Sequence, residues 1–454
     1  MTTRHKKEST RPIAIDLFSG VGGLSLGFEQ AGFDIVAAVE VDPIHALTHK
    51  YNFPDCAMIP ESIIKVSASQ IRDAASLGDK EVDVVFGGPP CQGFSLIGQR
   101  AMDDPRNTLV RDFVRIIGEV SPTYFLFENV KGLVIGKQRQ ILHELTEEFD
   151  AQGYTVLLPW QVLNAVNYAV PQDRERLFLL GARKGAPLPA YPVPRTIPPS
   201  KNGTIQILPT APTCEEALGD LPDAESFEEL NSDEWVVTDS WGDPSGFAKE
   251  MRCLCEQAWH YSYKRMWDRR MLTSSSRTRH TEISRRRFAH TRPGEVEPIS
   301  RFYKLAPKGV SNTLRAGTDS ARGAFTSPRP IHYKRNRCIT VREMARLHGF
   351  PDWFRFHRTK WHGGRQVGNA VPPPLARALA ETFIEALGAR PSVPEKILKL
   401  GDSTILGLDM SSAAACWGVD VPIAKRNKKS GLKKRRQEDI EAEMAALRSV
   451  REHG

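Results

Sequence analysis

The sequence predicts an α/β protein in which a Rossmann-like sheet is followed by a second, smaller and irregular domain. Through the first 183 residues, short apolar runs rich in β-branched residues alternate with helical patterns, as in a mostly parallel sheet. A glycine turn joins the first strand to the first helix. From Lys184 the periodicity is lost, and nine prolines fall between Pro187 and Pro222. This change in texture marks the predicted end of the first domain.

The first strand is predicted from Pro12 to Phe18, and Gly20, Gly22 and Gly23 form the turn that opens a helix ending at Gly32. Glycines in such a turn let a ligand approach the backbone closely. The spacing differs from the GxGxxG pattern that cradles a pyrophosphate. An adenosine cofactor without phosphates, such as S-adenosylmethionine, therefore fits at least as well as a dinucleotide.

The second strand is predicted from Asp34 to Val39 and delivers Glu40 to the same edge of the sheet. An acid about twenty residues beyond the glycine turn accepts hydrogen bonds from ribose hydroxyls in folds of this kind. The pattern therefore predicts that Glu40 binds the ribose of the cofactor.

A cysteine follows the next predicted strand, Val82 to Phe86, on a turn made of Gly87, Gly88, Pro89 and Pro90. Ligands of open α/β sheets bind beyond the carboxyl ends of the strands, so Cys91 is a candidate nucleophile. The alternative is a buried, unreactive thiol.

Two further strand ends carry charged residues. The strand from Tyr124 to Phe127 ends in Glu128, which either acts in a site or serves as a cap or ion-pair partner. Arg174 and Arg176 alternate along an extended run, so their side chains are expected on one face. Three strand ends thus present a thiol, a carboxylate and two guanidinium groups.

The remaining predicted elements follow from apolar periodicity and capping signals. Thr340 is expected to cap a helix whose Glu343 completes a capping box. The region after Gly388 is expected to be an irregular appendage. The other elements are helices at Asp103–Val120, Gln140–Phe149, Pro373–Leu387 and near Glu438–Val450, and a strand at Tyr154–Val162.

The charge distribution favours a polyanionic partner. The net charge is +8, the run from Lys425 to Arg436 contains no acid, and basic and aromatic residues interleave between His260 and Arg292. A solvated face is the alternative explanation for the C-terminal run. No apolar stretch is long enough for a transmembrane helix, and the polar N-terminus lacks a signal core. Seven irregularly spaced cysteines predict reduced thiols, neither disulfides nor a metal site, and a cytoplasmic protein.

The motifs, taken in order, resemble the C5-cytosine-specific DNA methyltransferase family. The matching stretches are DLFSGVGGLSLGFEQAGF, VEVD at Val39–Asp42, GGPPCQGFS, ENV at Glu128, QDRER at Gln172–Arg176, ITVREMARLHGFPD and QVGNAVPP. They cover roughly residues 12–183 and 335–388.

This resemblance implies a Rossmann-like sheet of the S-adenosylmethionine-dependent methyltransferase type, with a target-recognition domain inserted before the VREMARL helix. It gives Cys91 the role of nucleophile at C6 of a flipped-out cytosine. Glu128 would contact N3 and the exocyclic amine, and Arg176, with Arg174 near it, would hold O2.

The resemblance also implies a set of binding residues. Gln92, Ser95 and Arg106 would contact DNA. The S-adenosylmethionine site would be formed by Phe18, Gly20, Val21, Gly23, Glu40, Val41, Ile63, Pro90, Leu109 and Asn369.

The implied organisation is a catalytic domain in two parts (1–183 and 335–388), a target-recognition domain (184–334) and a basic C-terminal extension (389–454). The implied substrate is double-stranded DNA, and the implied context is host protection beside a cognate restriction endonuclease. We expect a monomer that associates with the nucleoid. The alternatives are a tRNA cytosine methyltransferase and a catalytically silent DNA-binding regulator. Intact Cys91, Glu128 and Arg176 argue against the silent regulator, and the large middle region argues against the tRNA enzyme.

Overall fold

The structure is a computed structural model that describes residues 11–90, 107–134, 139–199, 207–318 and 326–422. The described residues up to 317 and from 327 to 422 belong to one compact unit. Thr318 and Thr326 belong to a second unit, in which they pair with each other. No helix in the described part of the chain has the length and apolar character needed to cross a membrane.

A mixed sheet of eight strands organises the compact unit, in the order β3-β2-β1-β4-β5-β8-β6, with β7 also paired to β8. Strands β1 to β5 run parallel to one another, whereas β8 is antiparallel to β5, β6 and β7. This arrangement confirms the predicted fold class. The strands are β1 Ile13–Leu17, β2 Asp34–Val39, β3 Ala57–Ile59, β4 Val84–Gly87, β5 Tyr124–Val130, β6 Tyr154–Val156, β7 Gln161–Asn164 and β8 Glu175–Arg183.

Twelve helices lie in the described residues, together with four short strands outside the central sheet. The helices are α1 Gly23–Ala31, α2 Pro43–Asn52, α3 Ala68–Ala74, α4 Thr108–Val120, α5 Arg139–Ala151, α6 Cys214–Leu218, α7 Gly246–Met251, α8 Glu282–His290, α9 Val341–Leu347, α10 Lys360–Asn369, α11 Pro373–Leu387 and α12 Met410–Trp417. The short strands are β9 Val236–Val237, β10 Lys264–Met266, β11 Met271–Leu272 and β12 Ile397–Lys399.

Apolar layers cover both faces of the sheet. On one face Phe28 of α1 stacks on Phe86 of β4, with ring centroids 4.0 Å apart. On the other face Phe149 of α5 stacks on Phe125 of β5, also at 4.0 Å. Helix α11 packs against α1 so closely that a Cβ on Gly27 would lie 2.3 Å from Cβ of Ala376. The sheet edge that carries the site is therefore held by a tightly packed core.

The helix at Pro373–Leu387 and the capping box before α9 are as predicted. The backbone N–H of Glu343 donates to Oγ1 of Thr340 at 3.2 Å, and the N–H of Thr340 donates back to the Glu343 carboxylate at 2.6 Å. Of the predicted helix at Asp103–Val120, residues 107–120 are described, and the helix begins at Thr108. The helix predicted near Glu438–Val450 lies outside the described residues.

Two local predictions are wrong. The single strand expected from Tyr154 to Val162 is two strands, β6 and β7, separated by a segment that contains Pro159. Proline lacks the N–H that a continuous ladder needs. The irregular appendage expected after Gly388 contains β12 and α12 instead, because its apolar residues pack against the catalytic fold.

Buried ion pairs attach the middle of the chain to α9 and α1. Arg346 of α9 pairs with Asp220 at 2.9 Å, and both side chains are fully buried. Arg265 forms a bidentate pair with Glu29 of α1 at 2.7 and 2.9 Å. Such pairs fix orientation more reliably than they add stability.

Candidate active site

The carboxyl ends of β1, β2, β4 and β5 meet at one edge of the sheet because these strands are parallel. Ligands of open α/β sheets bind beyond such ends. The structure brings Phe18, Glu40, Gly88 and Glu128 to this edge, each at or beside the end of its strand.

The turn after β1 has left-handed backbone conformations at Phe18, Gly20 and Gly22, with φ angles of 60°, 54° and 95°. A glycine is also required at position 23 for space, since a Cβ there would lie 2.4 Å from the carbonyl oxygen of Val371. The turn therefore packs closely against the segment before α11. Its backbone N–H groups remain close to the sheet edge.

Glu40 fastens this turn to the end of β2. One carboxylate oxygen accepts from the N–H of Gly20 at 2.8 Å, and the other accepts from the N–H of Asp42 at 2.9 Å. Asp42 in turn caps α2 by accepting from Ile44 N–H at 2.9 Å. Burial raises the pKa of the Glu40 carboxyl. The two bonds hold the carboxylate in one orientation and leave lone pairs for a ribose.

Apolar side chains flank the carboxylate. Val41 is 50% exposed although it follows a buried strand, and half-buried Phe18 and Leu109 belong to the margin of the same core cluster. Ile63 is only 3% exposed, whereas its neighbour Ile64 is 55% exposed. Ile63 belongs to the same core cluster, and its contact with the cofactor stays a prediction.

Three other predicted cofactor residues occupy different positions. The Val21 side chain is buried in the core, so only its backbone is close to the turn surface. Asn369 is exposed at the end of α10, two residues before the carbonyl that abuts Gly23. Pro90 is exposed and is the last described residue before the gap at 91–106.

The second carboxylate of the edge, Glu128, pairs with Arg176 of β8 at 3.1 Å. The two side chains are 14% and 16% exposed. Burial raises the pKa of the Glu128 carboxyl, while the charges of Arg176 and Arg174 act in the opposite direction. The carboxyl is thus largely buried, in an environment that favours its protonated form more than water does.

The loop that leads to Cys91 lies directly against this carboxylate. A Cβ on Gly88 would be 2.5 Å from Oε2 of Glu128. The side-chain amide of Asn129 donates to the carbonyl of Pro89 at 2.9 Å. Asn129 has a role that sequence reasoning missed, although its place in the ENV motif was a signal.

Arg174 has a different environment from Arg176. It is 1% exposed, and its guanidinium donates to the carbonyls of Leu314 at 3.0 Å, Gly368 at 2.8 Å and Ala370 at 3.0 Å. These bonds join β8 to the segment before Thr318 and to the loop after α10. The structure therefore gives Arg174 a positioning role, in contrast to the expected contact with a base.

A second set of hydrogen bonds to the loop after α10 was also missed in the sequence analysis. Gln172 is fully buried and bonds to Nδ1 of His348 at 2.9 Å, while Nε2 of His348 lies 2.9 Å from the carbonyl of Ala370. Burial holds the pKa of His348 well below its usual range. The neutral imidazole of His348 therefore connects Gln172 to the loop after α10. No local pattern in the sequence indicated this connection.

Cys91, Gln92, Ser95 and Arg106 lie outside the described residues, and their roles stay predictions. The six described cysteines are free. Burial raises the pKa of the Cys214 thiol to about 12 and that of the Cys338 thiol to about 11. The buried thiols among them are therefore poor nucleophiles at neutral pH.

The strand order and the glycine turn at its centre define the class of the protein. They are those of a Rossmann-like, S-adenosylmethionine-dependent methyltransferase. A family model described as C-5 cytosine-specific DNA methylase matches residues 13–385. The chain belongs to this family. The match confirms the predicted family, enzyme class and reaction, the methylation of cytosine in DNA.

Curated relatives and a solved structure agree with this membership. The chain is 54% identical over 419 residues to the type II methyltransferase M.XorII of Xanthomonas oryzae pv. oryzae, covering 92% of this chain and 95% of the relative. It is 33% identical to M1.HphI of Haemophilus parahaemolyticus, with 82% and 86% covered. A solved DNA modification methyltransferase encoded within a prophage (E. coli) shares 33% identity, with a TM-score of 0.67 over 83% of this chain and 99% of that one.

Proposed function

We propose that this methylase modifies one short duplex sequence and protects host DNA in a restriction–modification system. The support is its similarity to relatives named as type II methyltransferases along most of their length. A cognate endonuclease is the proposed genetic partner. The enzyme is proposed to act as a monomer on the nucleoid in the cytoplasm, where its substrate lies.

S-adenosylmethionine is proposed to bind at the glycine turn, with its ribose on Glu40 and its adenine beside Val41 and Ile63. S-adenosylmethionine supplies the methyl group. The fit rests on the donor set: a fixed carboxylate with free lone pairs, a close-approach turn and exposed apolar side chains. Asn369 and Leu109 complete the proposed cleft, with Phe18, Gly20, Val21, Gly23 and Pro90 around it.

Cys91 is proposed to add to C6 of a flipped-out cytosine, which makes C5 nucleophilic. A thiolate suits this step because it is both a good nucleophile and a good leaving group. Glu128 is proposed to share its proton with N3 of the base, so that addition of the thiolate yields a neutral ring. Arg176 orients Glu128 and faces O2. The target must leave the stack because its reacting atoms are inaccessible in a duplex.

The observation that carries this assignment is the Glu128–Arg176 pair against Gly88. Gly88 lets the described part of the loop, which ends at Pro90, lie against the Glu128 carboxylate, and this supports a reaction of the next residue, Cys91, beside the acid. Burial raises the pKa of Glu128, which favours the proton-donating form.

Residues 184–334 are proposed to be the target-recognition domain, and Gln92, Ser95 and Arg106 are proposed to contact DNA as well. The support is the ion-paired attachment of this region and its exposed basic side chains. Lys and Arg side chains on such a surface bind phosphates. Exposed basic residues in the described part of this region include Arg269, Arg270, Arg279, Arg286, Arg292, Arg301, Lys308, Arg315 and Lys334.

The test is methyl transfer from tritiated S-adenosylmethionine to unmethylated plasmid or to bulk tRNA, followed by bisulfite sequencing of the plasmid. We expect label in DNA only, at one cytosine of one short sequence. Glu128→Gln should lower the rate by about a hundredfold or more. The matched control is Glu175→Gln, an exposed acid paired with Lys131. Label in tRNA would support the RNA enzyme, and DNA binding without label would support the silent regulator.

A further inference from the structure

Residues 396–417, here called the C-terminal strap, run along the outer face of α2. The strap begins with β12, which pairs in parallel with β10. The backbone N–H of Gly401 then donates to the carbonyl of Tyr51 at 3.0 Å. The strap thus engages α2 near its carboxyl end first.

The middle of the strap is bonded to the segment between α9 and α10. The N–H of Arg358 donates to the carbonyl of Leu406 at 2.9 Å, and Nε2 of His357 lies 2.9 Å from the carbonyl of Leu408. Leu406 is fully buried. These contacts keep the strap beside α2 as it continues toward the amino end of that helix.

The last part of the strap covers the apolar face of α2. Ile44 and Leu47 of α2 are 1% and 3% exposed, and they form a small core with Ala413 of α12. The indole Nε1 of Trp417 donates to the carbonyl of Pro43 at 3.3 Å. Pro43 is the first residue of α2 and follows Asp42 directly.

The amino end of α2 is also the edge of the proposed cofactor site. Asp42 caps α2 with its side chain and donates its N–H to Glu40, which holds the glycine turn through Gly20. One continuous set of contacts therefore joins Trp417, Pro43, Asp42 and Glu40.

We propose that the C-terminal strap is a positioning element of the S-adenosylmethionine site, with Trp417 as its positioning residue. By seating the first turn of α2, Trp417 fixes the backbone that orients the Glu40 carboxylate. The proposal rests on the proposed binding of the cofactor at Glu40. It also gives a function to a segment that lies beyond the family match at residues 13–385.

The experiment uses the full chain and compares Trp417→Ala, Trp417→Phe and Trp160→Ala. Trp160 is a matched control because it precedes β7 at the opposite end of the sheet. S-adenosylmethionine affinity is measured by calorimetry, and KM and kcat by methyl transfer. Trp417→Ala should weaken binding and raise KM for S-adenosylmethionine by about fivefold, with kcat at saturation within about twofold. Trp417→Phe keeps the aromatic packing but loses the indole N–H that bonds Pro43, so it should recover only part of the affinity.

Two further variants distinguish an error in the proposed cofactor site from an error in the proposed role of the C-terminal strap. A chain ending at Pro422 keeps the strap and should bind S-adenosylmethionine as the full chain does, even if its DNA affinity falls. Glu40→Ala tests the proposed site itself, and unchanged affinity there would overturn the site. If Glu40→Ala weakens binding but Trp417→Ala behaves like Trp160→Ala, the positioning role of the strap is wrong.

Discussion

Replacing Arg174 with methionine removes the donors to two buried carbonyls, those of Leu314 and Gly368, and one of the two partners of the Ala370 carbonyl, which keeps His348. Methionine is apolar and flexible enough to occupy much of the space. A buried acceptor left without a donor costs about 1–3 kcal/mol. Taking about 1 kcal/mol for each of the two carbonyls left without a donor, the free energy of unfolding should fall by about 2 kcal/mol.

Arg176→Met is the matched comparison, because Arg176 lies two residues away and pairs with Glu128 at 3.1 Å. Its loss should change the free energy of unfolding by about 1 kcal/mol or less, as expected for a partly exposed pair. Turnover should fall by about a hundredfold, since the acid loses the charge that orients it.

The assay is urea denaturation followed by tryptophan fluorescence, with single-turnover methyl transfer on the same preparations. The positioning role predicts that Arg174→Met mainly loses stability and Arg176→Met mainly loses rate. A stable Arg174→Met enzyme that lost rate as strongly as Arg176→Met would refute the reasoning and return Arg174 to the base-binding set.

Four further outcomes are expected. Glu40→Ala should weaken S-adenosylmethionine binding about tenfold or more by calorimetry, while duplex affinity in gel shifts stays constant. Gly88→Ala places a Cβ 2.5 Å from Glu128, so turnover should fall while cofactor affinity is kept. Burial lowers the pKa of His49 to about 3, so between pH 6.5 and 5 the unfolded state binds a proton that the folded state does not. The free energy of unfolding should therefore fall by about 2 kcal/mol as the pH is lowered from 6.5 to 5, and it should fall less for His49→Gln in denaturant titrations. Grafting residues 184–334 into a relative of other specificity should transfer the methylated sequence read by bisulfite sequencing.

The sequence predicted the strands of the catalytic sheet because they are buried on both faces and read as short β-branched runs. It also predicted that Glu40 and Glu128 would reach the same edge, since parallel strands place their ends together. The motif order identified the family. These features follow from local sequence patterns, which can be read without knowing which distant segments are in contact.

Other features depended on contacts between distant segments. Arg174 and Arg176 look equivalent along the chain, yet only one reaches the carbonyls of residues 314, 368 and 370. The strap looked irregular because its helix is short and its apolar residues match α2, which is more than 300 residues earlier. Pro159 was a visible interruption of the predicted strand, and the apolar residues around it outweighed it in the prediction.

The central claim is that Cys91 forms a covalent bond to cytosine beside Glu128, and a trapping experiment tests it most directly. Completion of the reaction requires removal of the atom on C5, and fluorine cannot leave as a cation. Duplex DNA with 5-fluorocytosine at the target should therefore form an adduct that survives denaturing electrophoresis and needs S-adenosylmethionine to accumulate. The adduct should map to Cys91, vanish in Cys91→Ser and persist in Cys255→Ser. An adduct that remained in Cys91→Ser, or mapped to another cysteine, would contradict the account.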